Sequence, residues 1–258
     1  MHLLFLFKME LIQLTFNIIH DENTLTFDGV DYVKDKNNLF VFVSTSIITS
    51  IGHHAFEKCK SLTHIVIPNT VSSIGAWAFD YCESLSHIVI PNSVTTIEEG
   101  TFCSCKSLTH IVIPNSVHSI GDYAFCMCQS LTDIVIPNSV HSISDYMFDN
   151  CQSLTHIVIP DSVTTIGVQA FAMCDSLTHI IIPTSVTTID DCAFDSCQYL
   201  THIVIPASVN HFLYKIFDNC YSLTMVETDD ENAYIIEYCK IYHPEIEIIV
   251  TDGSYVLK

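Results

Sequence analysis

One spacing dominates the chain. Pro68, Pro91, Pro114, Pro137, Pro160, Pro183 and Pro206 follow one another every 23 residues. Cys59, Cys82, Cys105, Cys128, Cys151, Cys174, Cys197 and Cys220 keep the same beat, and so do Phe56, Phe79, Phe102, Phe125, Phe148, Phe171, Phe194 and Phe217. Leucine runs with them from Leu39 through Leu62 and Leu85 to Leu223. Eight full copies fill 39–222, and a partial ninth follows. A segment this short cannot bury its own apolar side chains. Copies must stack and share one core, which is the logic of a solenoid.

The copy at 154–176 reads L-T-H-I-V-I-P-D-S-V-T-T-I-G-V-Q-A-F-A-M-C-D-S. A period of about 20–29 residues that opens L-x-x-L-x-L is the leucine-rich-repeat pattern. Leu62, Ile65 and Ile67 are expected to point inward from one short strand, with His64 and Val66 pointing outward, because strand side chains alternate. Pro68 closes the strand, having no N–H to donate. Val71, Ile74, Phe79 and Cys82 supply the inward residues of the return path. Gly52, Gly75, Gly121 and Gly167 suit a tight corner, where Glu98, Ser144 and Asp190 stand in other copies. The expected fold class is an α/β-type repeat solenoid: a right-handed leucine-rich-repeat coil with a parallel β-sheet on one face, mostly β and irregular turns, capped at both ends. Phe27–Val30 (F-D-G-V) suits a hairpin turn in an N-terminal β cap over 1–38. Eight repeats occupy 39–222. A C-terminal β-α-β cap over 223–258 combines a helix from Glu231 to Tyr242, then Pro244, then a strand from Ile246 to Val250.

Charge narrows the partners. Twenty-nine Asp and Glu stand against 9 Lys and no Arg, for a net charge of −20. Such a surface repels phosphate backbones, so nucleic acid and anionic membrane are not expected partners. Mild acidification acts through the 14 His, since imidazole is the side chain that gains charge there. The apolar stretch Leu3–Phe7 is shorter than the roughly 7–15 residues of a signal peptide. No run approaches the ~20 apolar residues of a membrane span. A cytoplasmic location is therefore expected, with reduced thiols.

The copies also line up side chains in columns. His64, His87, His110, His156, His179 and His202 form one, with Asp133 in the fourth slot. Imidazole is a common metal ligand, and protonated neighbours at strand spacing would repel, so this column reads either as a metal- or pH-responsive strip or as one ancestral His copied by duplication. Val66, Val89, Val112, Val135, Val158, Ile181 and Val204 run beside it. This stripe is a candidate interaction surface, although β-branched residues also suit any strand. The eight-member Cys column reads as buried thiols. Cys103 and Cys126 break the pattern, each two residues before a column Cys, and the four thiols raise the possibility of a sulfur tetrad. Asp80, Asp149, Asp195 and Asp218 share the Cys103 column, but one carboxylate per copy makes a poor calcium cage. The motifs G-x-S-x-G, H-E-x-x-H, G-x-G-x-x-G and the P-loop are absent. No catalytic residue, cofactor or metal ligand is assigned.

The unit C-x-S-L-T-x-I-x-I-P-x-S-V-x-x-I-G-x-x-A-F resembles the BspA-type leucine-rich repeat, also called the treponemal class, over residues 39 to about 228. C-Q-S-L-T-H-I-V-I-P at Cys151–Pro160 is a close fit. The resemblance implies a right-handed solenoid and no catalytic motif. It also implies kinship with bacterial and protist proteins that are often surface adhesins and protein binders. The expected function is a non-catalytic, monomeric scaffold that binds a protein partner through the outer sheet face, at the His and Val columns. Alternatives are an adhesin-like surface protein and a metal- or pH-responsive His ladder.

Overall fold

The structure, a computed structural model, describes residues 25–27, 30–34, 39–42, 49–212, 215–229 and 233–251. Each repeat contributes a three-residue strand to the front of a solenoid: His64–Val66, His87–Val89, His110–Val112, Asp133–Val135 and His156–Val158. These pair in parallel, in register, each residue beside its counterpart in the next coil. The same sheet extends toward the N-terminus through Leu39–Phe42, Val30–Lys34 and Leu25–Phe27. The last two form an antiparallel pair with Phe27 opposite Val30, which matches the hairpin expected around F-D-G-V. A second parallel sheet carries the front face onward through His179–Ile181, His202–Val204, Met225–Asp229 and Glu247–Thr251.

The return path is more regular than expected. Two-residue strands, Ser50–Ile51, Ser73–Ile74, Thr96–Ile97 and Ser119–Ile120, form one parallel ladder, and Ser142–Ile143, Thr165–Ile166, Thr188–Ile189 and His211–Phe212 form another. The connection from front to back is a turn in which the Val71 N–H donates to the Pro68 carbonyl at 3.0 Å. It is repeated at Val94, Val117, Val140, Val163, Val186 and Val209. The Ser of P-x-S-V ties coils together: Ser116 Oγ donates to the Val94 carbonyl and Ser162 Oγ to that of Val140.

Between the two walls lies one continuous core. Leu62, Ile65, Ile67, Val71, Ile74, Phe79 and Cys82 are all buried, as are their counterparts in most other coils. The Phe column stacks ring on ring, with centroids 4.9–5.7 Å apart from Phe56 to Phe194. The Cys column has a specific task. Cys82 Sγ donates to the Phe56 carbonyl, Cys105 to Phe79 and Cys128 to Phe102, at 3.1–3.3 Å. The same carbonyls accept an N–H from three residues on, as Phe56 does from Cys59. A carbonyl has two lone pairs, and burial leaves no water to take the second. The thiol takes it while still packing as an apolar group.

Two backbone positions per coil are left-handed. His54, Trp77, Gly100, Tyr123, Tyr146, Gln169, Cys192 and Lys215 form one such column. Lys58, Tyr81, Ser104, Met127, Asn150, Met173, Ser196 and Asn219 form the other. Gly100 has positive φ, and a Cβ there would stand 2.2 Å from the Trp77 ring, so glycine makes room for the indole. The glycines expected at corners do something else. At Gly75 and Gly121 a Cβ would come within 2.6 and 2.5 Å of the preceding coil's backbone nitrogen, so these mark close backbone approach.

The core ends under the helix Ala233–Tyr242, which buries Ile235 and Cys239 and sets Tyr238 edge-on to Phe217 at 6.2 Å. Glu231 and Asn232, where the sequence reading starts this helix, lie outside the described residues. Past Pro244 the chain adds Glu247–Thr251 in parallel to Met225–Asp229.

Candidate interaction surface

The tripeptide His-Ile-Val builds the front face. Its Ile points into the core, so the flanking His and Val must point to solvent. Val89, Val112, Val135 and Val158 are 72–74% exposed, and they are consecutive neighbours in the sheet. Val66 and Ile181 extend the stripe, less exposed than these four. Four adjacent valines kept open to water form a contiguous apolar strip rather than scattered surface residues.

Val204 corrects the expectation. It retains 6% exposure. Glu227 lies beside it in register, and the Glu227 carboxylate reaches back to His202 Nε2 at 3.2 Å. The open stripe therefore runs from Val66 to Ile181.

The His column stands alongside. His64 and His87 stack face to face with ring centroids 5.3 Å apart, while His156 and His179 meet edge-on at 5.8 Å. His87, His156 and His179 each have Nδ1 within 2.9–3.1 Å of the hydroxyl of the preceding residue, Ser86, Thr155 and Thr178. Those contacts set the ring orientation. His110 Nε2 lies 3.5 Å from the carboxylate of Asp133, the acid in the fourth slot. The face is thus an apolar rail flanked by an aromatic, hydrogen-bonding rail.

A seam crosses this face. The hydrogen-bonded ladder stops at His156–Val158 and restarts at His179–Ile181. A cleft of about 340 Å³ opens there, lined by His156, Val158, Asp161, His179, Ile181 and Pro183 among others. Ile157 is half-buried where Ile134 and Ile180 are fully covered. No sequence signal marks the seam, since His156-Ile157-Val158 repeats the tripeptide of the unbroken coils.

The other constellations separate. Cys105 and Cys128 face the core and donate to backbone carbonyls, so they do not join Cys103 and Cys126 in a tetrad. Burial drives the Cys105, Cys128, Cys151 and Cys174 thiols well above the usual thiol range. Asp80 and Asp149 are pushed up by burial as well. Among the described residues no group of three or more His, Cys, Asp or Glu is arranged to hold a metal ion. None of the described helices is long and apolar enough to cross a membrane. On the rear corner, Tyr123 and Tyr146 stack at 4.5 Å with Trp77 tilted toward them at 6.0 Å, a cluster missing from the sequence reading although its members share one slot of the repeat.

The model of the BspA type leucine rich repeat region matches residues 32–153 and 118–247, most of the chain. The chain belongs to the BspA-type leucine-rich repeat family. No curated protein matches it significantly. Among solved structures, this BspA-type chain is similar to a leucine-rich repeat protein of T. pallidum. The two are 23% identical with TM-score 0.50, over 86% of this chain and 97% of the other. It is also similar to the pneumococcal vaccine antigen PcpA, at 18% identity and TM-score 0.53, over 81% of this chain and 61% of that one. A leucine-rich cell surface protein of Faecalibacterium prausnitzii aligns over 91% of this chain and 96% of its own, at 21% identity and TM-score 0.49. The fold is that of a parallel-sheet solenoid, and the BspA-type repeat carries no catalytic motif.

Proposed function

We propose that this protein is a non-catalytic scaffold that binds a protein partner across its front sheet, along Val66, Val89, Val112, Val135, Val158 and Ile181 and the adjoining His64, His87, His110, His156, His179 and His202. The observation that carries the reading is the run of four consecutive valines at 72–74% exposure. Water is a poor solvent for such a strip, and covering it with an apolar partner surface supplies favourable free energy of roughly 25 cal/mol per Å². The His rail gives that contact direction, since imidazole nitrogens donate or accept hydrogen bonds at its border. The chain's excess of carboxylates favours a partner of opposite charge and speeds its approach.

The test is capture of binding proteins by wild type and by the double variant Val112→Asp, Val135→Asp, at neutral and at mildly acidic pH. Both positions point to solvent, so the variant keeps its circular dichroism and melting curve. A partner held by wild type and released by the variant supports the reading, and capture unchanged by the two aspartates sinks it. Dependence of capture on pH would assign part of the contact to the His rail.

A further inference from the structure

Cys103 and Cys126 stand apart from the other column thiols. They sit one coil apart in the same slot, two residues before Cys105 and Cys128. The coils around them are tightly bonded: the Ser104 N–H donates to the Cys126 carbonyl at 2.7 Å, and the Phe102 N–H to the Ala124 carbonyl at 2.9 Å. Adjacent coils at strand spacing lie about 4.7–4.9 Å apart, inside the roughly 4.4–6.8 Å between Cα atoms that a disulfide requires. The two thiols are close enough to influence each other's ionisation. Each also has an acidic group beside it. Cys126 Sγ is 3.6 Å from Asp149 Oδ2, and Cys103 meets the Asp80 carboxyl. Cys103 further contacts Ser104 Oγ at 3.6 Å.

Their exposure also differs from that of the inner column. Cys103 keeps 8% of its surface open and Cys126 4%, whereas Cys105, Cys128, Cys151 and Cys174 keep none. The inner thiols are each committed to a Phe carbonyl. The outer pair keeps a thin edge open to solvent.

We propose that Cys103 and Cys126 are a dithiol modification site, converted by a small hydroperoxide such as hydrogen peroxide into a disulfide that joins two adjacent coils. Cys103 sulfur attacks the peroxide, the O–O bond breaks, and the sulfur becomes a sulfenic acid as one water leaves with the thiol proton. Cys126 sulfur then attacks the sulfenic sulfur, the S–S bond forms, and the hydroxyl departs as a second water with the Cys126 proton. Two electrons pass from the sulfurs to the peroxide. The order follows from access. Cys103 keeps 8% of its surface open against 4% for Cys126, whose S–H is donated to Asp149 Oδ2. The thiolate is the nucleophile in such chemistry, so the more open Cys103 reacts first and Cys126 resolves it.

The experiment treats the full chain with one molar equivalent of hydrogen peroxide, unfolds it in alkylating reagent, and maps the thiols by tandem mass spectrometry of a non-reducing digest. The expected result is a linked peptide pair, two hydrogens lighter than the dithiol, with the bond placed between Cys103 and Cys126 and with Cys105 and Cys128 alkylated. In Cys126→Ser, Cys103 stops at a sulfenic acid that dimedone traps; in Cys103→Ser, Cys126 stays reduced. Recovery of both thiols alkylated while the more accessible Cys192 is oxidised would overturn the proposal. So would over-oxidation of Cys103 beside a free Cys126. The wild-type map alone decides between these results if either variant folds poorly.

Discussion

Left-handed backbone is costly for side chains with a Cβ, at roughly 1–2 kcal/mol per residue. This solenoid holds two such residues in nearly every coil, from His54 to Asn219. It tolerates them because the turns they make return the chain at coil spacing, where bonds such as Phe79 N–H to the Thr101 carbonyl close at 2.9 Å. The cost is removable where the side chain does little. Met173 is exposed with φ 54°, in the column that holds Asn150 and Asn219. Asparagine accepts this conformation more readily. Met173→Asn is expected to stabilise the fold by up to about 1 kcal/mol, read as a higher urea midpoint at unchanged slope.

Asp149 supplies a pH-dependent counterpart. Burial raises its carboxyl, with the Cys126 hydrogen bond opposing and Asp195 adding to the rise. The folded state therefore holds this proton more tightly than the unfolded chain does. Stability contributed by Asp149 is highest below its unfolded value of about 3.9, and it falls as pH climbs to the raised folded value. Asp149→Asn removes that penalty and keeps an oxygen for Cys126. The variant is expected to melt higher than wild type at neutral pH, with the difference shrinking as pH falls through the carboxylate window. Thermal melts across that range check the sign.

At the scale of the coil, each recurrent letter has one physical task. Pro accepts the turn, Ser laces the carbonyl of the coil before, Phe stacks, and Cys fills the second lone pair of a buried Phe carbonyl. The stacking order was legible because the period is invariant and apolar positions recur at fixed offsets. Left-handed positions were not, because Tyr, Met, Ser and Gln occupy them, and these residues carry no turn signature. The back ladders were missed because two-residue strands such as Ser73–Ile74 are too short to show alternation. The seam after Val158 was invisible for the opposite reason, since its sequence copies the coils that pair. The Phe stack makes a quantitative claim. Phe125 lies between Phe102 and Phe148 with no exposed surface. Phe125→Ala is expected to destabilise by about 3–5 kcal/mol. Because coupling runs from coil to neighbouring coil, hydrogen exchange should quicken most in the two coils beside it.

At the scale of the molecule, the repeat makes one wall of outward His and Val and one core of inward Ile, Leu, Phe and Cys. The Val and His columns were readable from strand alternation alone. The fate of Val204 was not, because His202-Ile203-Val204 repeats the tripeptide of the coils whose valine stays open. The rear wall offers a different chemistry, with Trp77, Tyr123 and Tyr146 gathered at its corner. The front and rear walls therefore make competing claims on a partner, and one measurement separates them: the affinity of a captured partner for wild type, for Val112→Asp with Val135→Asp, and for Tyr146→Ala. A charge buried against an apolar partner is costly, so the front variant is expected to bind at least about tenfold more weakly, or ~1.4 kcal/mol, while Tyr146→Ala binds as wild type does. Full affinity in the front variant with loss in Tyr146→Ala would contradict the account and move the binding surface to the rear corner.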